Sequence, residues 1–280
     1  MGYKFEPGMI YRMPTHFGPS LGPRQGPGGR RFEGSAQEIV AYSVSFRTNP
    51  EQLEPLLPEG FSLTGRPVVT VKAKYATGIE WLAGRGYNML SVEFPAEFKG
   101  ARDHVRGPFI TVMFENLADP IITGRDDLGY SKIYCELPPP MVTADGVHCT
   151  AAWFDFKFMD LRLSELHDVL APAAGAPDGQ LHFKYIPKTE EWGEADVSYP
   201  VLIPDAALNE GTRVVERKAG QGAVSFRRAE WEDLPTLFNV VNTFADLEIL
   251  EYTSAGVTRT LGTSPVFYRR GGVSPARILR

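Results

Sequence analysis

Cysteine is scarce: the chain of 280 residues has 2, Cys135 and Cys149. Each lies in a strand-like segment, so two buried thiols in a reducing cytoplasm are expected rather than a disulfide. A basic surplus is also lacking. Lys+Arg total 29 against Asp+Glu 34, with an isoelectric point near 5.6, which argues against the phosphate backbone of a nucleic acid as partner. No apolar run approaches the roughly 18 to 20 residues that cross a bilayer. The opening "MGYKFEPGMI" has no charged-then-apolar signal pattern, and Glu6 breaks the myristoylation pattern. No membrane partner and a cytoplasmic address are therefore expected. The 5 histidines, His16, His104, His148, His167 and His182, show no close ligand spacing, so no metal site is expected. There is no P-loop, "GRGYN" at 84–88 is too short for a dinucleotide fingerprint, and Ser225 and Ser254 lie in no nucleophile elbow.

At 43% hydrophobic residues, the chain can bury a substantial core. Residues 1–36 are dense in Gly and Pro ("HFGPSLGPRQGPGGRRFEG") and read as an extended arm, of which residues 1–30 are expected to be ordered only through contact with the domain or another subunit. Residues 37–280 read as one domain. Its segments "IVAYSVSFRT", "PVVTVKAKYAT", "NMLSVEFPAEF", "PFITVMFEN", "PIIT", "SKIYCEL", "VHCTAAWFDFKFMDL", "GQLHFKYIP", "SYPVLI", "TRVVERKAG" and "GAVSFRR" are short, rich in β-branched or aromatic residues, and separated by turns. Helices are expected at "NPEQLEPLLPEG", with Asn49 as cap and Pro50 at the first helical position, at "LSELHDVLAP", and at "WEDLPTLFNVVNTFADL". "LAPAAGAPDGQ" reads as a surface loop. Many strands without alternating βα units indicate a mostly β, α+β fold: an antiparallel barrel or cone with a few peripheral helices.

One stretch carries chemistry. In "GRDDLGYSKIYCEL", residues 124–137, Tyr130, Lys132, Tyr134 and Glu136 alternate with Ser131, Ile133, Cys135 and Leu137, which places a lysine between two tyrosines on one strand face. An exposed strand with a snorkelling lysine has this pattern. So does a strand facing the apolar interior of a barrel, where desolvation disfavours an ammonium ion and a neutral amine can attack a ketone to form a Schiff base. The protonated imine is an electron sink for loss of carbon dioxide or for aldol chemistry through an enamine. Spacing does not choose among these.

"ENLADPIITGRDDLGYSKIYCEL" resembles the signature of the acetoacetate decarboxylase superfamily, in which a strand reading roughly "EPAIxxGRE" precedes a Pro-Lys segment whose first lysine forms the Schiff base. "VSFRTNPEQLEPLLPEGFSL", "KYIP" and "WLAGRGYN" resemble further segments of the family and its enlarged members, so the likeness covers most of the chain from about residue 39. The resemblance implies a β-rich cone or barrel around a mainly apolar pocket, subunits that assemble into homo-oligomers, a small or medium keto acid or ketone as partner, no cofactor, and Lys132 as nucleophile. The chain also departs from the family. Ser131 stands in place of proline, Ile133 in place of the second lysine, Met89 in place of the active-site carboxylate, and Ile39 at the position of its arginine partner. These changes suggest a drier, less acidic pocket. Tyr87 is a candidate donor to the substrate oxygen or a wall residue, and Glu115 a candidate acid or base if it faces the pocket. Arg125 is a candidate carboxylate contact or, by preference, the ion-pair partner of Asp126, Asp127 or Glu115 that holds the turn. Tyr252 is a candidate pocket residue from late in the chain. The reading is a decarboxylating Schiff-base lyase. An aldolase-dehydratase using the same lysine and a non-catalytic barrel binding an apolar molecule are the alternatives.

Overall fold

The structure is a computed structural model that describes residues 2–170, 177–263 and 274–280. Its strands are β1 (Glu38–Arg47), β2 (Phe61–Leu63), β3 (Val68–Ile79), β4 (Arg85–Lys99), β5 (His104–Glu115), β6 (Lys132–Tyr134), β7 (Met141–Thr143), β8 (Gly146–Trp153), β9 (Phe156–Asp168), β10 (Gly179–Pro187), β11 (Ala195–Pro204), β12 (Arg213–Phe226), β13 (Glu251–Leu261) and β14 (Arg277–Ile278). The helices are α1 (Pro50–Leu53), α2 (Ala118–Thr123), α3 (Asp205–Asn209) and α4 (Phe238–Ala245).

All of these strands join one open sheet in the order β14-β11-β10-β5-β4-β3-β1-β13-β12-β9-β8-β7, with β2 paired to β4 and β6 paired to β5. Pairing is antiparallel except where β5 meets β10 and β6. The long strands follow from period-2 patterning. In β3, Val69, Val71 and Ala73 are fully buried, while Thr70, Lys72 and Lys74 point to the other side. Strand β4 is buried without interruption from Met89 to Phe94 because both its faces are covered. One face packs into the main core with Val44, Phe94, Phe114 and Phe158. The other joins a smaller cluster containing Ile79, Met89, Met113, Tyr130 and Ile203, and the pocket opens on this side.

Several local expectations are corrected. "PIIT" is part of helix α2, which runs directly into a wide helical turn, Gly124–Leu128; two adjacent isoleucines gave it the look of a strand. "LSELHDVLAP" is not helical through Asp168. It continues β9 against β12, and Glu165, at φ 53, kinks the strand and breaks its alternation into a helix-like pattern. Its last residues, with most of "LAPAAGAPDGQ", fall outside the described residues. "TRVVERKAG" and "GAVSFRR" form the single strand β12, in which Gly220 allows close approach rather than a turn: a Cβ there would lie 2.4 Å from the Ser164 carbonyl oxygen. The last helix begins only at Phe238, after the turn containing Pro235. Asn49 has the extended backbone of a cap, but its side chain makes no capping bond.

The arm packs on its own domain. Arg12 and Arg24 both form ion pairs with Asp127, and the Gln25 amide ties Ile10 and Ser20 together at 2.8–2.9 Å. The Glu33 N–H donates to the Glu80 carboxylate at 2.8 Å.

Candidate active site

Strand register builds the site. Lys74 on β3 lies opposite Met89 on β4, and Met89 lies opposite Glu115 on β5. These three side chains therefore form a row across one face of the sheet. One step along, Met113 on β5 lies beside Lys132 on β6. With Ile39 from β1 and Thr260 from β13, this face lines a cavity of about 350 Å³. The lid side comes from elsewhere: Pro23 and Arg24 from the arm, Pro120, Thr123, Gly124 and Leu128 from α2 and its following turn, and Leu208 from α3.

Lys132 is 7% exposed. Its Nζ lies 2.7 Å from Glu115 Oε1, donates to the Pro120 carbonyl at 3.1 Å, and stands 5.2 Å from the centre of the Tyr130 ring. The close wall is Gly124, whose missing side chain leaves room for the lysine: a Cβ there would fall 2.5 Å from Lys132 Cε and 2.6 Å from Nζ. The Tyr130 hydroxyl donates to Gln180 Oε1 at 2.9 Å, and Gln180 also lines the cavity.

Glu115 is fully buried, and burial pushes its carboxyl pKa upward while the nearby Lys132 and Lys74 pull it down. Its contact with Lys132 is a close ion pair without the alignment of a hydrogen bond, and neither oxygen accepts an aligned hydrogen bond from a described residue. Behind Tyr130, with ring centroids 4.1 Å apart, His182 is fully buried with neither ring nitrogen hydrogen-bonded to a described residue. Burial, aided by the Lys132 charge, pushes its pKa down to about 3.

Of the residues singled out in the sequence, Lys132, Tyr87 and Met89 line the cavity, and Glu115 touches Lys132 from just behind its wall. Tyr87 packs beside Trp81 at 6.3 Å. Arg125 is corrected: it is exposed, forms no ion pair among the described residues, and donates to the Lys132 backbone carbonyl at 2.9 Å. Asp127 is instead taken by Arg12 and Arg24. Tyr252 is also corrected. It is 42% exposed and bonds the Val224 backbone, far along β13 from the pocket-lining Thr260; the separation of eight residues amounts to about 26 Å. The tyrosine-lysine-tyrosine face is half right. Tyr130 accompanies Lys132, but burial then shifts phase to Cys135 and Leu137, leaving Tyr134 48% exposed. A carboxylate is nonetheless close, because Glu115 reaches Lys132 from behind the cavity wall, where Met89 offers none.

Comparison with known proteins agrees with this architecture. The profile of the acetoacetate decarboxylase family matches residues 12–264. The chain belongs to that family. Among solved structures, an acetoacetate decarboxylase shares 14% identity at a TM-score of 0.65, covering 91% of this chain and 94% of the other. An acetoacetate decarboxylase-like enzyme from Sphingomonas wittichii RW1 shares 20% identity at 0.61, covering 89% and 94%. The enduracididine biosynthesis enzyme MppR, solved with the condensation product of pyruvate and imidazole 4-carboxaldehyde, shares 15% at 0.62, covering 92% and 97%. No curated protein sequence matches the chain. In this family member Ile39 and Met89 both line the pocket. Ile133, in place of the second lysine, packs against the main core. The pocket's second lysine is Lys74, which sequence reasoning missed together with Arg24, Gln180 and His182. The available signal was the alternation in "VVTVKAK", which puts Lys74 on the polar face of β3; nothing in the segment tells whether that face meets solvent or a cavity.

Proposed function

We propose that the protein is a Schiff-base lyase acting on a small or medium keto acid, with Lys132 as nucleophile and Glu115 as its proton acceptor. The supporting observation is the buried lysine-carboxylate pair, 2.7 Å apart, at the wall of a cavity of about 350 Å³. Glu115, a carboxyl whose pKa is raised by burial, is the adjacent group that takes the lysine proton, which leaves a neutral amine beside the substrate. The amine attacks the carbonyl carbon, water leaves as the imine forms, and the imine nitrogen carries the positive charge. In a 3-keto acid the bond to the carboxylate then breaks, its electron pair passes into the iminium as an enamine, and carbon dioxide departs. Protonation of the enamine carbon and hydrolysis of the imine restore the amine.

Charge favours an anionic substrate. Among the described residues Arg24, Lys74 and Lys132 line the cavity and no acidic residue does, while Glu115 and Asp127 sit behind. A volume of about 350 Å³ also leaves room for a second carbonyl compound, which is what the aldol reading needs. Cyanoborohydride trapping with a panel of keto acids, read by mass spectrometry, tests the assignment. An adduct on Lys132 that is lost in Lys132→Ala is expected; no adduct with any member removes the Schiff-base reading. Carbon dioxide release against formation of a condensed enone with added aldehyde separates the two reactions.

A further inference from the structure

Lys74 is the unexplained group in the pocket. It lines the same cavity as Lys132, yet among the described residues it makes no ion pair and no hydrogen bond. Its neighbour on the same strand face, Lys72, is paired with Glu93, and Lys132 is paired with Glu115. The acids nearest to Lys74 are thus already engaged by other lysines. Met89, directly opposite it, offers no charge. Lys74 is half-buried, and charges withdrawn from water in proteins are paired or neutralised. We infer that Lys74 is the anchor for the substrate's carboxylate, the anion arriving with the ligand being the counter-ion that the described residues do not supply. This inference rests on the keto-acid reading of the pocket and deepens it.

The geometry suits the role. Lys74 and Lys132 stand on strands separated by β4 and β5, so they enter the cavity from opposite sides of the Met89–Met113 floor. A keto acid spanning that floor presents its carbonyl to Lys132 and its carboxylate to Lys74. Burial is the first cause, and the charges of Lys72 and Lys132 add to it, of a lowered Lys74 pKa. A bound carboxylate reverses that balance, so binding is expected to take up protons at alkaline pH.

The test compares acids with their neutral esters: pyruvate with methyl pyruvate, and levulinate with methyl levulinate. Wild type, Lys74→Met, Lys74→Arg and Arg24→Gln are assayed by imine trapping and by calorimetric binding. In Lys74→Met the half-saturating concentration for the acids should rise on the order of 10- to 100-fold, the loss of one charge-assisted contact. The esters should change less than about threefold by the same reckoning of free energy. Lys74→Arg should recover much of the acid binding. Parallel loss for acid and ester, an acid-selective loss in Arg24→Gln but not in Lys74→Met, or an adduct on Lys74 itself would each overturn the anchor. If calorimetry shows the acid-selective loss while no variant, nor wild type, yields an adduct on Lys132, the anchor stands and the Schiff-base reading falls.

Discussion

Replacing His182 with leucine should flatten the protein's stability between pH 7 and pH 5. His182 is fully buried, its ring nitrogens have no hydrogen-bonding partner among the described residues, and its pKa lies near 3 in the folded state. In the unfolded chain a histidine titrates near 6.5. As pH falls below about 6.5 the unfolded state therefore takes up a proton that the folded state refuses, and stability falls with pH until the folded-state value near 3 is reached. From pH 7 to pH 5 this amounts to about 2 kcal/mol, at about 1.4 kcal/mol for each pH unit below 6.5. The figure at pH 5 hardly depends on how far below 5 the folded value lies. Urea denaturation of wild type and His182→Leu at both pH values measures it directly. The leucine shifts stability at pH 7 by an amount set by packing, but the wild type should lose about 2 kcal/mol more than the variant on going to pH 5. Parallel losses would show that the imidazole is protonated or paired in the folded state, and the argument from burial would fail.

The other expectations concern the site. Gly124→Ala should push the Lys132 side chain aside, because a Cβ there meets Cε and Nζ at 2.5–2.6 Å; imine trapping should fall at least tenfold with a small change in melting temperature, and unchanged trapping would mean that the lysine relaxes freely. Glu115→Gln keeps the shape but removes the proton acceptor, so imine formation at neutral pH should slow about 10²-fold, with the loss recovered at high pH in a trapping pH profile. A loss that is constant across pH would deny Glu115 the role of base. Removing both Arg12 and Arg24, which share Asp127, should free the arm for proteolysis without unfolding the sheet; limited trypsinolysis cutting first within residues 1–36 is the expected pattern, and an arm as resistant as in wild type would show that other contacts hold it.

Much of this molecule could be read along the chain. Period-2 burial in "PVVTVKAKY" and the scarcity of βα alternation determined a β-rich domain, and the motif around Lys132 determined the family. Local patterns failed where a strand is irregular or a helix is short. Glu165 kinks β9, and the second half of α2, Ile121, Ile122 and Thr123, is built from residues that favour strands. The site was legible only in part, because its residues meet by strand register and not by spacing. Lys132 came from its motif, but its pairing with Glu115 needs β6 laid parallel to β5, and Lys74 reaches the same cavity only because β3 pairs with β4 and β4 with β5. Alternation determines that a side chain lies on one of two faces. Which face closes over a cavity, and which charges are left there without a counter-ion, was decided only by the long-range pairing of the sheet and by the arm and turn that cover it.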